Sequence, residues 1–215
     1  MEFIQASKSY YLDRSTYINL RWIAIIGQFI TINSVKFLLE FEFPYLLSNI
    51  IILFGILSNL YLYHFDINPQ ISNKSSFIYL LIDIFQLSIL LYLTGGVLNP
   101  FSIFLIIPSI FSSSNLNIRT NLTLITITLF IIIFLTFFSY DLPYPMNEKL
   151  SIDENYYYSI PLSLIVALIF LNYFAITFGK ESRLRKEALD KIQEVIAKEH
   201  ELVSLGGQAA AAAHS

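Results

Sequence analysis

The sequence contains no cysteine and has few charged residues. Without cysteine, neither a disulfide scaffold nor a thiol-based switch can reside within these 215 residues. Charged residues make up 13% of the chain, whereas 55% of the residues are hydrophobic and 16% are aromatic. This balance lies far outside the range of soluble domains. The shortage of charge therefore indicates a membrane protein.

The hydrophobic residues are gathered in long runs, and they lack the alternation over roughly ten-residue strands that transmembrane β-barrels show. A helix needs about 20 mostly apolar residues to cross the hydrocarbon core. Such runs cover residues 22–39, 43–63, 77–94, 101–118, 121–140 and 156–179. Lys8, Arg14 and Arg21 precede the first run and no small-residue cleavage site follows it, so we expect a retained span. The sequence predicts an all-α membrane protein with six transmembrane helices.

Positive charge is scarce on one side of this predicted domain, and positive residues near span ends are retained in the cytoplasm. With the N-terminus inside, the outer loops carry only Lys149, and Lys36 can snorkel to the interface. The inner side then carries Lys8, Arg14, Arg21, Lys74, Arg119, Lys180, Arg183, Arg185 and Lys186. We therefore expect a multi-pass membrane protein with both termini in the cytoplasm. Acidic outer loops account for the net charge of −3, and no nucleic-acid surface is expected.

The chemistry of the chain changes after Gly179. Residues 180–205 alternate charged and apolar side chains at three- and four-residue steps, which is typical of an amphipathic helix. The apolar stripe contains Leu184, Ala188, Ile192, Val195 and Leu202, with Leu189, Ile196 and Val203 beside it and Glu199 interrupting it. We favour a coiled coil that forms a parallel homodimer. The alternative is a helix lying on the membrane surface.

Two adjacent glycines and an Asn-Pro-Phe sequence separate the third and fourth runs. Gly95 and Gly96 permit positive φ and leave no side chain between the backbone and a ligand. Asn99 is directed to extended geometry by Pro100, which suits the first turn of the next helix. Amides at a helix N-terminus favour a polarised oxygen, and Phe101 can pack on a ring. The segment is either a ligand site or simply a well-capped turn between helices.

Asp83 lies inside the third run, where a carboxylate costs about 2.5 to 3.5 kcal/mol on insertion scales and normally faces protein or water. Gln86 follows nearly one turn later on the same face. The pair either relays a proton or binds the third helix to Gln28 and Asn33 of the first, and we favour this packing role. Pro108 predicts that the fourth helix is kinked or short.

The final stretch LGGQAAAAAHS combines five alanines, which favour a helix, with His214. Alone, a histidine at a chain end carries no function. A membrane domain, a charged linker and an Ala-rich helix with His are together the order of parts in sensor histidine kinases, whose imidazole takes a phosphoryl group. The chain resembles the RegB/PrrB group of redox-responsive sensor histidine kinases of proteobacteria. The segments that carry the resemblance are LRWIAIIGQ at 20–28, LLYLTGGVLNPF at 90–101 and LGGQAAAAAHS at 205–215.

The resemblance implies a membrane redox sensor of a two-component system, located in the bacterial inner membrane. The implied quinone site is Gly95, Gly96, Asn99, Pro100 and Phe101, the implied ligand is a ubiquinone-type quinone, and no metal site is implied. His214 would be the autophosphorylated residue, using ATP and Mg from a catalytic domain and passing the phosphoryl group to a cognate response regulator. Ser215 replaces the acidic residue that usually follows this histidine, where a carboxylate can act as general base.

The domain organisation that follows has four parts: a cytoplasmic segment 1–21, a six-helix sensor domain 22–179, a coiled-coil linker 180–205, and the start of a phosphoacceptor domain at 206–215. An ATP-binding domain is missing, so we expect a fragment or truncated gene product, with the kinase activity in the complete protein. The alternatives are a small integral-membrane transporter, a quinone-binding membrane protein without kinase activity, or a purely structural dimeric anchor. Sequence beyond residue 215 separates these alternatives.

Overall fold

The structure is a computed structural model that describes residues 12–65, 68–145 and 154–213. The described residues form α-helices α1 Arg14–Phe37, α2 Tyr45–Phe65, α3 Asn73–Tyr92, α4 Ile107–Asn115, α5 Ile118–Phe137 and α6 Glu154–Ala213. Two 3₁₀ segments, η1 Gly96–Leu98 and η2 Pro100–Ile106, precede α4. Four short strands complete the structure: β1 Leu12–Asp13, β2 Phe41–Glu42, β3 Gln70–Ile71 and β4 Tyr144–Pro145. The predicted all-α class is confirmed.

Five of the described helices are long and apolar enough to cross a membrane. They are Arg14–Phe37, Tyr45–His64, Asn73–Tyr92, Ile118–Phe137 and, within α6, Asn155–Val203. The fourth predicted run differs, because the apolar helix there is shorter and covers only Pro100–Ser113. It is a 3₁₀ segment that changes to an α-helix one residue before Pro108, where the missing N–H of proline is tolerated. The expectation of a short or kinked fourth helix agrees with this structure.

The first helix begins earlier than the apolar run indicates, at Arg14 rather than at residue 22. Asp13 is the reason, because its carboxylate caps the helix by accepting a hydrogen bond of 2.8 Å from Thr16 N. Hydrogen bonds from the Thr16 side chain and then from its backbone N–H lower the pKa of Asp13. Residues 14–21, predicted to be part of a cytoplasmic segment, therefore form the first two turns of α1.

Two short antiparallel pairings establish which chain segments meet at each end of the bundle. Strand β1 pairs with β3 in the register Leu12 to Ile71, so the start of α1 and the start of α3 lie at one end. Strand β2 pairs with β4, so the end of α1 and the segment after α5 lie at the other. Successive segments thus run in alternate directions, as repeated membrane crossings require.

The described residues divide into two compact units, one that ends at Ala175 and one that begins at Ile176. In the first unit a buried apolar cluster includes Leu80, Ile84, Leu105, Leu124, Ile132 and Leu168. The second unit is the remainder of α6, whose side chains are almost all exposed through Val203. Glu181 and Glu194 form i,i+4 ion pairs with Arg185 and Lys198, at 2.6 and 2.7 Å. Exposed pairs of this kind stabilise a helix only slightly. The dimer predicted for this helix stays a prediction.

A buried polar cluster joins α4, α5 and α6 inside the first unit. Asn172 Nδ2 donates to Ser109 Oγ at 3.1 Å and to Leu168 O at 2.7 Å. Ser113 Oγ donates at 2.5 Å to Asn172 Oδ1 and lies 3.0 Å from Asn121 Oδ1. All four side chains are under 5% exposed. Hydrogen bonds between helices of this kind contribute about 0.6 kcal/mol each in membrane bundles.

We predict that Asn172→Leu lowers the free energy of unfolding by about 1 kcal/mol. The loss is small because the hydroxyls of Ser109 and Ser113 also lie within hydrogen-bonding distance of backbone carbonyls of Ile106 and Ser109. Thermal unfolding in detergent measures it. Asn49→Leu is the control, because among the described residues that amide donates only to Tyr45 O of its own helix. Equal unfolding temperatures for the two variants would contradict the prediction.

Candidate functional site

Residues 95–101 form the glycine turn, which is held in place by packing against other segments of the protein. Gly95 has φ of 107° and Gly96 has φ of 60°, a region that favours glycine. A Cβ on Gly95 would lie 2.5 Å from Leu142 Cδ1, and one on Gly96 would lie 2.6 Å from Leu135 O and Ser139 Oγ. Both positions therefore need glycine because the end of α5 and the loop after it approach closely. Sequence analysis did not predict this contact.

Asn99 uses its side chain to hold the same turn together. Its Oδ1 accepts a hydrogen bond of 2.9 Å from Phe101 N. Its Nδ2 donates to Thr94 O at 2.8 Å and to Thr94 Oγ1 at 2.9 Å. The backbone of Asn99 is extended and Pro100 begins η2, as the sequence predicts. Because both amide hydrogens are used, donation from Asn99 to a ligand would have to replace a bond to Thr94.

Asp83 pairs with a residue that sequence reasoning placed elsewhere. Arg21 Nε lies 2.8 Å from Asp83 Oδ1, and Tyr17 donates at 2.5 Å to Asp83 Oδ2. Arg21 was counted among the charges of the inner side, but its side chain is only 5% exposed. Because α1 begins at Arg14, Arg21 lies within this helix and is buried in the bundle. A carboxylate inside a span needs a partner, so the nearest basic residue on a neighbouring helix could have been predicted to pair with Asp83.

The guanidinium also connects α1 to α2. Arg21 Nη2 donates to Ser58 Oγ at 2.5 Å, and Nη1 donates to Asn59 Oδ1 at 3.4 Å. Asn59 Nδ2 donates to Ile18 O at 3.3 Å. The positive charge is thus surrounded by one carboxylate and two neutral oxygens, which meets the condition under which a buried charge is tolerated.

Gln86 makes one of the two interhelical connections that its position predicts. Its Nε2 donates to Gln28 Oε1 at 2.8 Å, which joins α3 to α1. Asn33 instead accepts a hydrogen bond of 2.8 Å from Tyr45 OH and donates one of 2.7 Å to Phe29 O. The expected contact with Asn33 is therefore wrong in the described structure. The proton-relay alternative for Asp83 and Gln86 stays a prediction.

One cavity of about 750 Å³ brings the two candidate sites together. Asn99, Pro100 and Phe101 line it from the turn, and Asp83 and Gln86 line it from α3. Its remaining walls are mostly apolar and come from α1, η2, α4 and the loop before β4. The volume lies in the range of about 300 to 1,000 Å³ that small-molecule sites occupy. Gly95 and Gly96 do not line it in the described structure, so of the implied quinone residues only Asn99, Pro100 and Phe101 reach this space.

His214 lies outside the described residues.

The model for the PilS-like transmembrane domain matches residues 16–188 of the sequence. The chain belongs to the family of PilS-like transmembrane domains. It is also similar to the sensor histidine kinase RegB of Cereibacter sphaeroides, at 30% identity over 200 residues. That alignment covers 93% of this chain and 43% of RegB, so the chain spans less than half the length of this curated relative. No solved structure matches.

These matches confirm the resemblance to the RegB group that the three sequence segments carry. They also support a multi-pass protein of the inner membrane. The side of the membrane on which each terminus lies stays a prediction.

We predict that Gly96→Ala lowers the free energy of unfolding by about 1 to 2 kcal/mol, because φ is positive and the new Cβ meets backbone. Gly27→Ala is the matched control. Gly27 lies within α1 and a Cβ there meets nothing within 4 Å, so alanine is neutral or slightly stabilising. Thermal unfolding in detergent compares the two. A tolerated alanine at position 96 would show that the turn is looser than described.

We predict that Asp83→Leu and Arg21→Leu each lower the free energy of unfolding by about 3 kcal/mol, because each leaves the opposite charge unpaired in the bundle. The double variant should lose less than either single variant. A double-mutant cycle of thermal unfolding measures this coupling. Additive losses would mean that the ion pair does not hold α1 to α3.

Proposed function

We propose that this chain is the input region of a membrane sensor histidine kinase and that its ligand is a ubiquinone-type quinone. The observation that carries the proposal is the cavity shared by Asn99, Phe101 and Gln86 in a domain similar to RegB. In the complete protein, His214 would take the phosphoryl group from ATP and Mg in a catalytic domain and pass it to a response regulator. The exposed apolar stripe of α6 would form the homodimer.

A quinone suits this cavity chemically. The ligand has a flat ring with two polar oxygens and an apolar chain, and the cavity has apolar walls with a few polar side chains. Phe101 and Phe104 stack on each other at 5.9 Å between ring centres. They are 41% and 47% exposed, so they line the cavity and also face the surroundings of the bundle. A lipid-soluble molecule could enter between them and α1.

The 3₁₀ segment η2 gives the cavity a wall that can move. Runs of 3₁₀ helix longer than three or four residues are uncommon and often mark a hinge, whereas Pro100–Ile106 has seven residues. A ligand that contacts Phe101 and Phe104 touches this segment directly. A difference of about 1 to 3 kcal/mol in binding between two arrangements is enough to couple ligand and output.

Charge supports the proposed orientation, with both termini in the cytoplasm. Arg14, Lys74 and Arg119 begin α1, α3 and α5, and these helices start at the same end of the bundle. Glu42 and Asp141 lie at the opposite end, beside β2 and β4. Positive residues are retained inside, so the end with the glycine turn faces outward.

The test uses the complete protein in liposomes with decylubiquinone or decylubiquinol, and it measures phosphorylation of His214. Phe101→Ala should reduce the difference between the two quinone states by about three- to ten-fold, because an aromatic contact contributes about 0.5 to 1.5 kcal/mol. Phe130→Ala is the matched control, since Phe130 is an exposed aromatic residue of α5 outside the cavity.

Three results are distinguishable. A response that is equal in the wild type and Phe101→Ala would show that the ligand does not bind in this part of the cavity. Quinone binding without phosphorylation of His214 would favour the alternative of a quinone-binding membrane protein without kinase activity. If neither redox form binds, the proposal that the ligand is a quinone is wrong.

A further inference from the structure

The polar groups that line the cavity differ in whether they can accept another partner. At the turn, Asn99 uses its oxygen and both amide hydrogens within the protein. At the opposite end, Arg21, Asp83 and Tyr17 are bound to one another. A ligand oxygen at the turn would have to break an existing bond, and at the opposite end it would compete with Asp83 for a guanidinium whose charge is already balanced. The middle of the cavity is different.

Gln28 and Gln86 supply the amides of that middle region, and Thr31 supplies a hydroxyl one turn further along α1. The bond from Gln86 Nε2 to Gln28 Oε1 is 2.8 Å long and uses one hydrogen and one oxygen of the pair. Gln28 Nε2 and Gln86 Oε1 remain, and neither has a partner among the residues that the structure describes. Gln86 is only 7% exposed, yet both side chains line the cavity. An amide that leaves donors and acceptors unused in an apolar space is unfavourable unless something else binds there.

Two glycines leave space beside this amide pair. A Cβ on Gly55 of α2 would lie 3.4 Å from Gln86 Nε2, so glycine lets the amide lie against the α2 backbone. Gly27 precedes Gln28 and also lines the cavity, and a Cβ there would meet nothing within 4 Å. The surface next to the amides is therefore open and has no side chain above Gly27. A flat ring fits such a surface better than a bulky group does.

We propose that the Gln28–Gln86 amide pair binds the ring oxygen of the quinone and distinguishes its two redox forms; this rests on the proposed function. The oxidised ring offers a carbonyl oxygen, which only accepts, so it pairs with the Nε2 hydrogens of Gln28. The reduced ring offers a hydroxyl, which also donates, so it pairs with Gln86 Oε1. The site binds both forms and exchanges no electrons with them. Because the two amides lie on α1 and α3, the oxidised form binds to α1 and the reduced form binds to α3.

The position of the ring follows from helix geometry. Gln86 and Thr94 are eight positions apart, which corresponds to about 12 Å along the helix axis at 1.5 Å per residue. A quinone ring is shorter than this distance, so a ring at the amides leaves the chain of the quinone to contact Phe101 and Phe104. The head of the ligand thus lies deep in the cavity, and its tail leads to the exposed aromatic pair.

The experiment measures equilibrium binding of decylubiquinone and decylubiquinol to the complete protein in lipid nanodiscs. Gln28→Met should weaken binding of the oxidised form about five-fold, and Gln86→Met should weaken binding of the reduced form about five-fold, each by the loss of one hydrogen bond. Asn33→Leu is the control, because it removes a hydrogen bond between α1 and α2 and Asn33 does not line the cavity in the described structure. It should change neither affinity.

Two further measurements locate the ring and guard against a folding defect. Ubiquinone-0 has no chain, so its binding should be weakened by Gln28→Met and unchanged by Phe101→Ala. Gly27→Leu removes no hydrogen bond and fills the space beside the amides, so it should weaken binding of both redox forms at an unchanged unfolding temperature.

Failure of this inference is separable from failure of the proposed function. If Phe101→Ala weakens decylubiquinone binding while both methionine variants and Gly27→Leu bind like the wild type, the amide pair is not the site and the quinone sensor stands. Weaker binding of ubiquinone-0 to Phe101→Ala would place the ring at the turn and overturn the inference. If the wild type binds neither redox form, both proposals are wrong.

Discussion

The arrangement of the membrane domain depends on how a carboxylate and a guanidinium are accommodated in an apolar bundle. Asp83 of α3 and Arg21 of α1 are 2.8 Å apart, and Ser58 and Asn59 of α2 supply the remaining oxygens. Neither charge would be tolerated alone at this depth. The pair holds α1 against α3 at one level, and beyond that level the gap between them is the cavity. The same interaction therefore positions the helices and closes one end of the candidate ligand site.

Sequence predicted the apolar segments well because the hydrocarbon core imposes a length and composition on every span. The short fourth helix was also predictable, since Pro108 lies inside its run. The burial of Arg21 was not, because a charge at the edge of an apolar run resembles a loop charge until the helix start is known. The joining of Asn99 and Gln86 in one cavity is a tertiary property, and no periodicity in a single segment encodes it.

The glycine turn shows how the residues of a motif can have separate tasks. Gly95 and Gly96 admit the loop after α5, whereas Asn99 fixes the turn through Thr94. Only Asn99, Pro100 and Phe101 reach the cavity. The motif consequently acts as a frame for the cavity wall, and the polar groups with unused hydrogen-bonding capacity lie on other helices. Gln28 and Gln86, which lie outside this motif, supply amides to the same cavity.

The 3₁₀ winding of Pro100–Ile106 has a mechanical consequence. A 3₁₀ helix rises about 2.0 Å per residue and an α-helix about 1.5 Å, so rewinding seven residues would shorten the segment by about 3.5 Å. It would also rotate one end relative to the other by about 140°, since a residue turns the chain by 120° in one form and 100° in the other. A bound molecule that favours one of the two helical forms would therefore change both the length and the rotation of this wall.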